Sequence, residues 1–277
     1  MFDRQTLEKG LREIPPLPVA VTAVMEVLNR KDVDFGELQK KIAQDPALAA
    51  RILKVANSPF YGLGGEVSSL KEACVILGIH AVRNIVITAG VIGQFPADGG
   101  NHLNLIGLWQ HAIGTGVAAK VLAPSTGVDQ ETAFTAGLLH DIGKMVLDVH
   151  FADRYGKVIE YRDANSCLLR DAETAVLGID HCEIGGMIAH RWKLPEALAL
   201  AIKGHHTPCS YPSVTLVALV HVADILCRGL ELGDGGDTLI PMLAPDAVAT
   251  LKMDIKNIGT YLSQIEALFG SSKALLG

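Results

Sequence analysis

The chain has 277 residues, 49% hydrophobic and 19% charged, enough apolar material for one large core or two modest ones. Its net charge of −6 excludes a global field that would gather nucleic acid or an anionic membrane surface, leaving only local patches to do so. Aromatic residues make up only 5%, and Ala, Leu, Val and Ile dominate, which favours helices packed on helices.

The opening stretch, MFDRQTLEKG, has no apolar core of the kind a signal peptide needs, so none is expected. Helix punctuation follows at short intervals. Asp34-Phe-Gly-Glu37 and Ser69-Leu-Lys-Glu72 have the spacing of capping boxes, and Asp45-Pro46 offers an N-cap followed by proline at the first helical position. Ala47 to Val55 and Ala73 to Thr88 carry apolar residues at helical spacing. No long alternating run and no Asn-Gly or Asp-Gly hairpin lies between apolar segments, so the fold class read from the sequence is all-α. Loops at Phe95–Asn101 and Gly233–Asp237 divide the chain into an N-terminal helical part (1–100), a second helical part (101–232) and a helical tail (233–277). The longest apolar runs are interrupted by His80, Arg83 and Asn84, or by His221 and Asp224, so no membrane span is expected. Five scattered cysteines without a C-x-x-C pair suit buried thiols in a reducing cytoplasm, the expected location.

Chemistry concentrates in the second half. The stretch Gly137-Leu-Leu-His-Asp-Ile-Gly-Lys144 sits in a hydrophobic segment. Read as one helix, it aligns His140 with Lys144 and makes Asp141 a neighbour of Lys144. Three ionisable groups on an apolar helix are costly unless something pairs them. Six of the ten histidines lie between residues 140 and 206. Asp180-His-Cys-Glu183 places His181 in the first turn of a helix that stops before Pro195, and the next helix ends at Gly204-His-His-Thr-Pro208, with His205 and His206 at its C-terminus. Asp224 lies in the nearly all-apolar run Thr215–Cys227, where a buried carboxylate needs a metal or histidine partner, and His111 is a lone polar group in an apolar helix. Each has an ordinary explanation: a core histidine bonded to a carbonyl, histidines favoured by a helix C-terminus, a buried His–Asp pair, a cysteine such as Cys182 filling the core. Together they point to one convergent site. Mixed imidazole and carboxylate donors suit iron, manganese, zinc, cobalt or nickel rather than magnesium or calcium.

The order His111, His140-Asp141, Asp224 resembles the pattern of HD-superfamily phosphohydrolases, and His181 with His205-His206 is similar to the additional ligands of the HD-GYP phosphodiesterases. The blocks IPPLPVAVTAVMEVL, IAQDPALAARILKVANSPFYG, SSLKEACVILGIHAVRNIVIT, LWQHAIGTGVAAKVLA, AFTAGLLHDIGK and AIKGHH resemble the HDOD domain, the HD-related output domain of bacterial signalling proteins, over roughly residues 7 to 230. The resemblance implies an HD-like multi-helix bundle with an N-terminal helical HDOD subdomain. It implies that His111, His140, Asp141 and Asp224 hold one metal and that Asp141 bridges to a second held by His181, His205 and His206, with iron or manganese the first choice. Lys144 resembles the lysine that contacts substrate phosphate, so Asp141 and Lys144 are the candidate catalytic pair. His102, His150 and His190 match no ligand position, and His221, one turn before Asp224, is the residue most easily mistaken for a ligand. Thr207-Pro208 stands where HD-GYP enzymes continue toward a glutamate and a Gly-Tyr-Pro loop, and Gly107 stands where some relatives place a further glutamate. The functional expectation is therefore a signalling output protein that retains an HD-type metal site, its N-terminal half meeting a protein partner. The alternative is a metal-dependent phosphohydrolase or phosphodiesterase with a phosphate-ester or nucleotide ligand. Neither a membrane nor a nucleic acid is an expected partner.

Overall fold

Local signals in the sequence set most helix starts. The structure, a computed structural model, describes residues 4–28, 30, 32–60, 66–95, 102–237 and 239–272. Among these there are helices and short 3-10 turns and no strand. The first is α1 (Arg4–Glu13), followed by α2 (Val19–Leu28), α3 (Phe35–Ala43), α4 (Pro46–Ala56) and α5 (Leu70–Ile92). Next come α6 (Leu105–Leu122), α7 (Gln130–Leu139), α8 (Ile142–His150), α9 (Ala152–Asn165), α10 (Leu169–Leu177) and α11 (His181–Arg191). The last four are α12 (Glu196–Gly204), α13 (Thr215–Gly229), α14 (Pro245–Leu251) and α15 (Ile258–Ser272). Asp34, Asp45, Ser69 and Asp180 each accept backbone N–H bonds from the first turn that follows, satisfying donors that a helix start leaves without partners. Of the interdomain seam at Phe95–Asn101, all but Phe95 lies outside the described residues.

Contacts divide the chain into two units, Met1–Pro15 with Phe95–Glu266 and Pro16–Gln94 with Ala267–Gly277. In the second unit, α5 packs against α2, α3 and α4 around a core that includes Val24, Leu28, Leu38, Ile42, Ile52 and Val86. By length and composition α5 is apolar enough to cross a membrane, a test that a buried core helix also passes. Half of that apolar stretch is buried inside the protein, and Gly78, at φ 77 and ψ 168, interrupts the helix. The Arg83 guanidinium, which in the sequence breaks the apolar run, donates to the Leu28 carbonyl of α2.

In the first unit α6 packs on α7 and α13, α11 on α8 and α12, and α9 on α10. The N-terminal helix is tied to this unit: Trp192 Nε1 donates to Pro15 O at 3.0 Å and Arg191 to Arg12 O at 2.9 Å. The segment read as one helix through Lys144 is in fact two. α7 ends at Leu139, His140 is its C-cap, and Asp141 leaves helical geometry (φ −100, ψ 15) before α8 begins. An unbroken helix would point His140 and Asp141 about 100° apart around its axis; the break brings both inward.

α8 must also approach the start of α11 closely. A methyl group at Gly143 would lie 1.9 Å from the His181 carbonyl oxygen, so only glycine allows the two helices to meet there. Gly143→Ala is expected to destabilise the protein by about 1–3 kcal/mol, the usual cost of forcing extra volume into a filled core. Urea unfolding measures it, and an unchanged midpoint would show that the close approach is not required.

Candidate metal centre

Five helical segments bring the expected residues to one place. α6 supplies His111, the α7–α8 turn supplies His140 and Asp141, and α8 supplies Lys144. The first residue of α11 is His181, the C-cap of α12 is His205 with His206 next, and α13 carries Asp224. Of these, all but His206 are at most 1% exposed, and His206 is half-buried.

Asp141 is the hub. Its Oδ2 lies 3.2 Å from His140 Nε2 and 3.7 Å from His111 Nε2, and its Oδ1 lies 3.3 Å from His181 Nε2 and 3.6 Å from His205 Nε2. Asp224 Oδ1 closes one side, 3.0 Å from His111 Nε2 and 3.7 Å from His140 Nε2. The rings of His205 and His206 are 4.2 Å apart, and those of His181 and His206 are 5.1 Å apart. Two ligand-type groups result, His111–His140–Asp141 and His181–Cys182–His205–His206, each with its donor atoms within 4.8 Å of one another.

The far side of each ring settles which nitrogen carries hydrogen. His140 Nδ1 is 2.6 Å from Gly137 O, and His205 Nδ1 is 2.8 Å from Ile202 O. His181 Nδ1 is 2.6 Å from Glu173 Oε2. Carbonyl and carboxylate oxygens only accept, so each Nδ1 must donate, and in a neutral ring Nε2 then presents a lone pair to the interior. His111 Nε2, His140 Nε2, His181 Nε2 and Asp141 Oδ1 are buried without a hydrogen-bond partner. With Nδ1 donating, the neutral His140 and His181 rings face the Asp141 carboxylate as acceptor against acceptor, and buried groups so placed repel unless a proton or a metal ion lies between them. These residues therefore fit a divalent metal ion by donor type, tautomer and convergence.

Protons are the other way to relieve that repulsion. Burial opposes charge on His140, but Asp141 and Asp224 outweigh it and hold the imidazole at about 9. Burial lowers His205 to about 4 and also lowers His111. Burial would raise Asp141 and Asp224, yet His140 and Lys144 hold the first well below the usual carboxylate range, and Arg228 with His111 and His140 does so for the second. Lys144 Nζ donates to Asp141 Oδ2 at 2.6 Å and to Gly235 O at 2.7 Å, so two of its three hydrogens are engaged within the protein.

Glu173 and Arg228 escaped the sequence reading. Glu173, fully buried, accepts from the His181 backbone N–H at 2.8 Å, from His181 Nδ1, and from the Tyr155 hydroxyl at 2.9 Å. The sequence signal was its place on the apolar stripe of α10 with Leu169, Ala172 and Leu177. Arg228 Nε donates to Asp224 Oδ1 at 2.9 Å, an i,i+4 pair readable from spacing. Cys182 Sγ lies 3.8 Å from both ring nitrogens of His205, and burial raises its thiol well above the ordinary range. His221 faces backbone on both sides: Ala244 N–H donates to its Nε2 at 3.0 Å, and its Nδ1 donates to His205 O at 2.7 Å. Of the other histidines, His102 bonds Ala152 O and His190 lies by Glu196 at the surface. A pocket of about 200 Å³ adjoins the cluster, bordered by Lys144, Arg170, His181, His206, Arg228 and Asp237 among others.

The model of the HDOD domain family matches residues 14–208. The chain is 28% identical over 226 residues to an uncharacterised protein of Treponema pallidum, a match covering 79% of this chain and 43% of that protein. It is 30% identical over 191 residues to ribonuclease Y of Aquifex aeolicus, covering 68% of this chain and 28% of that enzyme. The chain thus spans less than half the length of these curated relatives. A crystal structure of an HDOD domain protein of unknown function from Geobacter sulfurreducens superposes with a TM-score of 0.74 at 27% identity, over 96% of this chain and 99% of that one. A candidate phosphohydrolase of Shewanella amazonensis superposes with a TM-score of 0.72 at 26% identity, over 98% and 91%.

In chelator-dialysed protein, side-chain ¹H–¹⁵N spectra should show His140 as an imidazolium that loses its proton only near pH 9, and His205 neutral until near pH 4. By linkage, the raised His140 adds stability that is full below its ordinary value of 6.5 and is lost as pH rises through about 9. The depressed His205 costs stability as pH falls from its ordinary 6.5 toward about 4. A His140 that titrates at an ordinary histidine value would contradict the arrangement.

Proposed function

The chain belongs to the HDOD family, and from that membership and the geometry of the cluster we propose that it is a bacterial signal-transduction output protein whose Phe95–Glu266 unit holds one or two divalent transition-metal ions. One observation carries the metal: four buried donor atoms, three imidazole nitrogens and a carboxylate oxygen, converge without hydrogen bonds. His111, His140, Asp141 and Asp224 would hold one ion, and Asp141 with His181, His205 and His206 a second. Iron or manganese is the first choice, and zinc, cobalt and nickel suit the same nitrogen and oxygen donors. The N-terminal helices would carry the contact to a protein partner.

The fixed Nδ1–H donors orient the imidazoles before any ion arrives. Glu173 does this for His181 through two bonds, and the Gly137 and Ile202 carbonyls do it for His140 and His205. Lys144 and Arg228 set the charge of Asp141 and Asp224 from outside the ligand set.

A second reading, metal-dependent phosphoester hydrolysis, is supported by the pocket beside the cluster, where Lys144, Arg170 and Arg228 offer positive charge. It is consistent with relatives named ribonuclease Y and with the Shewanella amazonensis candidate phosphohydrolase. A bound divalent ion would supply Lewis acidity and make water more acidic. Lys144 would stabilise charge that develops on the phosphoryl group.

Metal should co-purify at one or two ions per chain, and Asp141→Ala should remove most of it and lower thermal stability, because an ion bound only to the folded state stabilises by mass action. Full metal content in Asp141→Ala protein would refute the bridging role. Glu173→Gln should weaken metal affinity by roughly 10- to 100-fold while leaving the fold intact, the range for losing a group that orients a ligand. Equilibrium metal titration reads it, and an unchanged affinity would remove Glu173 from the account. Manganese- or iron-loaded protein incubated with phosphomonoesters, nucleotides, cyclic dinucleotides and an RNA oligonucleotide separates the two readings. Fast turnover abolished by Asp141→Ala establishes the hydrolase; metal without turnover supports signalling.

A further inference from the structure

The loop that leaves α13 places a carboxylate where an anionic ligand would sit. Asp237 is largely buried, and its Oδ1 accepts from Arg228 Nη1 at 2.9 Å and from Leu239 N–H at 3.1 Å. Its Oδ2 accepts at 3.0 Å from the N–H of Leu169, the first residue of α10, whose N-cap supplies no side-chain acceptor. Two more cations close on the same loop: Lys144 Nζ donates to Gly235 O, and the Arg162 guanidinium donates to Gly236 O. Gly233 and Gly236, at φ 84 and 92, let the chain make this path, and a side chain at Gly233 would run into the His111 backbone nitrogen.

Arg228 links this seat to the cluster. Its Nε is held by Asp224, while its Nη1 is given to Asp237. Both Arg228 and Asp237 border the pocket, as does His181, a buried imidazole whose Nε2 has no hydrogen bond. A buried guanidinium edge, an ammonium and a helix N-terminus converging on one volume have the donor chemistry of a phosphate site.

We propose that Arg228, Lys144 and the N-terminus of α10 form a seat for a phosphate-type oxyanion, and that Asp237 fills it as a built-in competitor. A ligand carrying such a group enters by displacing the Asp237 carboxylate from Arg228 and from the Leu169 N–H. The dianion exceeds a single carboxylate in charge and in acceptor oxygens, so exchange is possible, but the resident group weakens every such ligand. This inference rests on the phosphoester reading of the same pocket; because it is read by phosphate binding and not by turnover, and the seat needs no metal ion, the two readings fail separately.

Calorimetric titration of inorganic phosphate into the full-length chain tests it, with metal content held equal between variants. Asp237→Asn keeps the size of the side chain and removes its charge. It should bind phosphate more tightly than the unmodified chain, on the order of tenfold or more, as expected when a charge-assisted bond no longer competes. Equal or weaker binding overturns the proposal. Should Asp237→Asn fail to fold, the unmodified chain decides. Phosphate should then shift the backbone amide resonances of Leu169 and Leu239, which lose the Asp237 carboxylate as acceptor. Resonances that stay in place up to the phosphate solubility limit overturn it equally.

Discussion

The site depends on a constraint applied from behind. Three imidazoles donate their Nδ1 hydrogens outward, to Gly137 O, Ile202 O and Glu173, which leaves their Nε2 lone pairs pointing at Asp141. That inward arrangement of buried acceptors is unfavourable by itself. Two cations, Lys144 on Asp141 and Arg228 on Asp224, keep the carboxylates ionised but do not reach the imidazole nitrogens. Something positive has to fill the space between, either protons, with His140 the group best placed to take one, or a metal ion. The helices hold this set of buried acceptors around one centre, the place a cation would occupy.

The surrounding helices make that possible in specific ways. The break at Asp141 turns two consecutive residues toward one centre, which a continuous helix cannot do. Gly143 lets α8 touch the first turn of α11, bringing the Asp141 carboxylate within reach of His181. His221 spends both ring nitrogens on backbone, tying α13 to the carbonyl of His205 and to the chain entering α14. A histidine that looks like a ligand in the sequence thus holds a neighbour in position.

Much of this was legible in the sequence. The caps at Asp34, Asp45, Ser69 and Asp180 begin helices where their spacing said they would, because N-capping is a local interaction. The seven residues singled out as ligands come together, since burying that many polar groups on apolar helices requires mutual partners. Other features were hidden because they depend on tertiary contacts. Helical periodicity continues through Gly137–Lys144, and only packing against α11 reveals the break. Gly78 lies in an apolar run whose spacing gives no warning of its positive φ. Gly233–Asp237 reads as a linker, although with Arg228 and Lys144 it closes one side of the site.

The central claim is that the inward lone pairs are completed by a metal ion, and element-specific anomalous diffraction from crystals of the purified protein tests it most directly. The account predicts an anomalous peak enclosed by His111, His140, Asp141 and Asp224, with a second, where present, on the Oδ1 side of Asp141 facing His181 and His205. Crystals grown with manganese or iron that show no peak there, and in which Asp141 is instead hydrogen-bonded to protonated imidazoles, would contradict it.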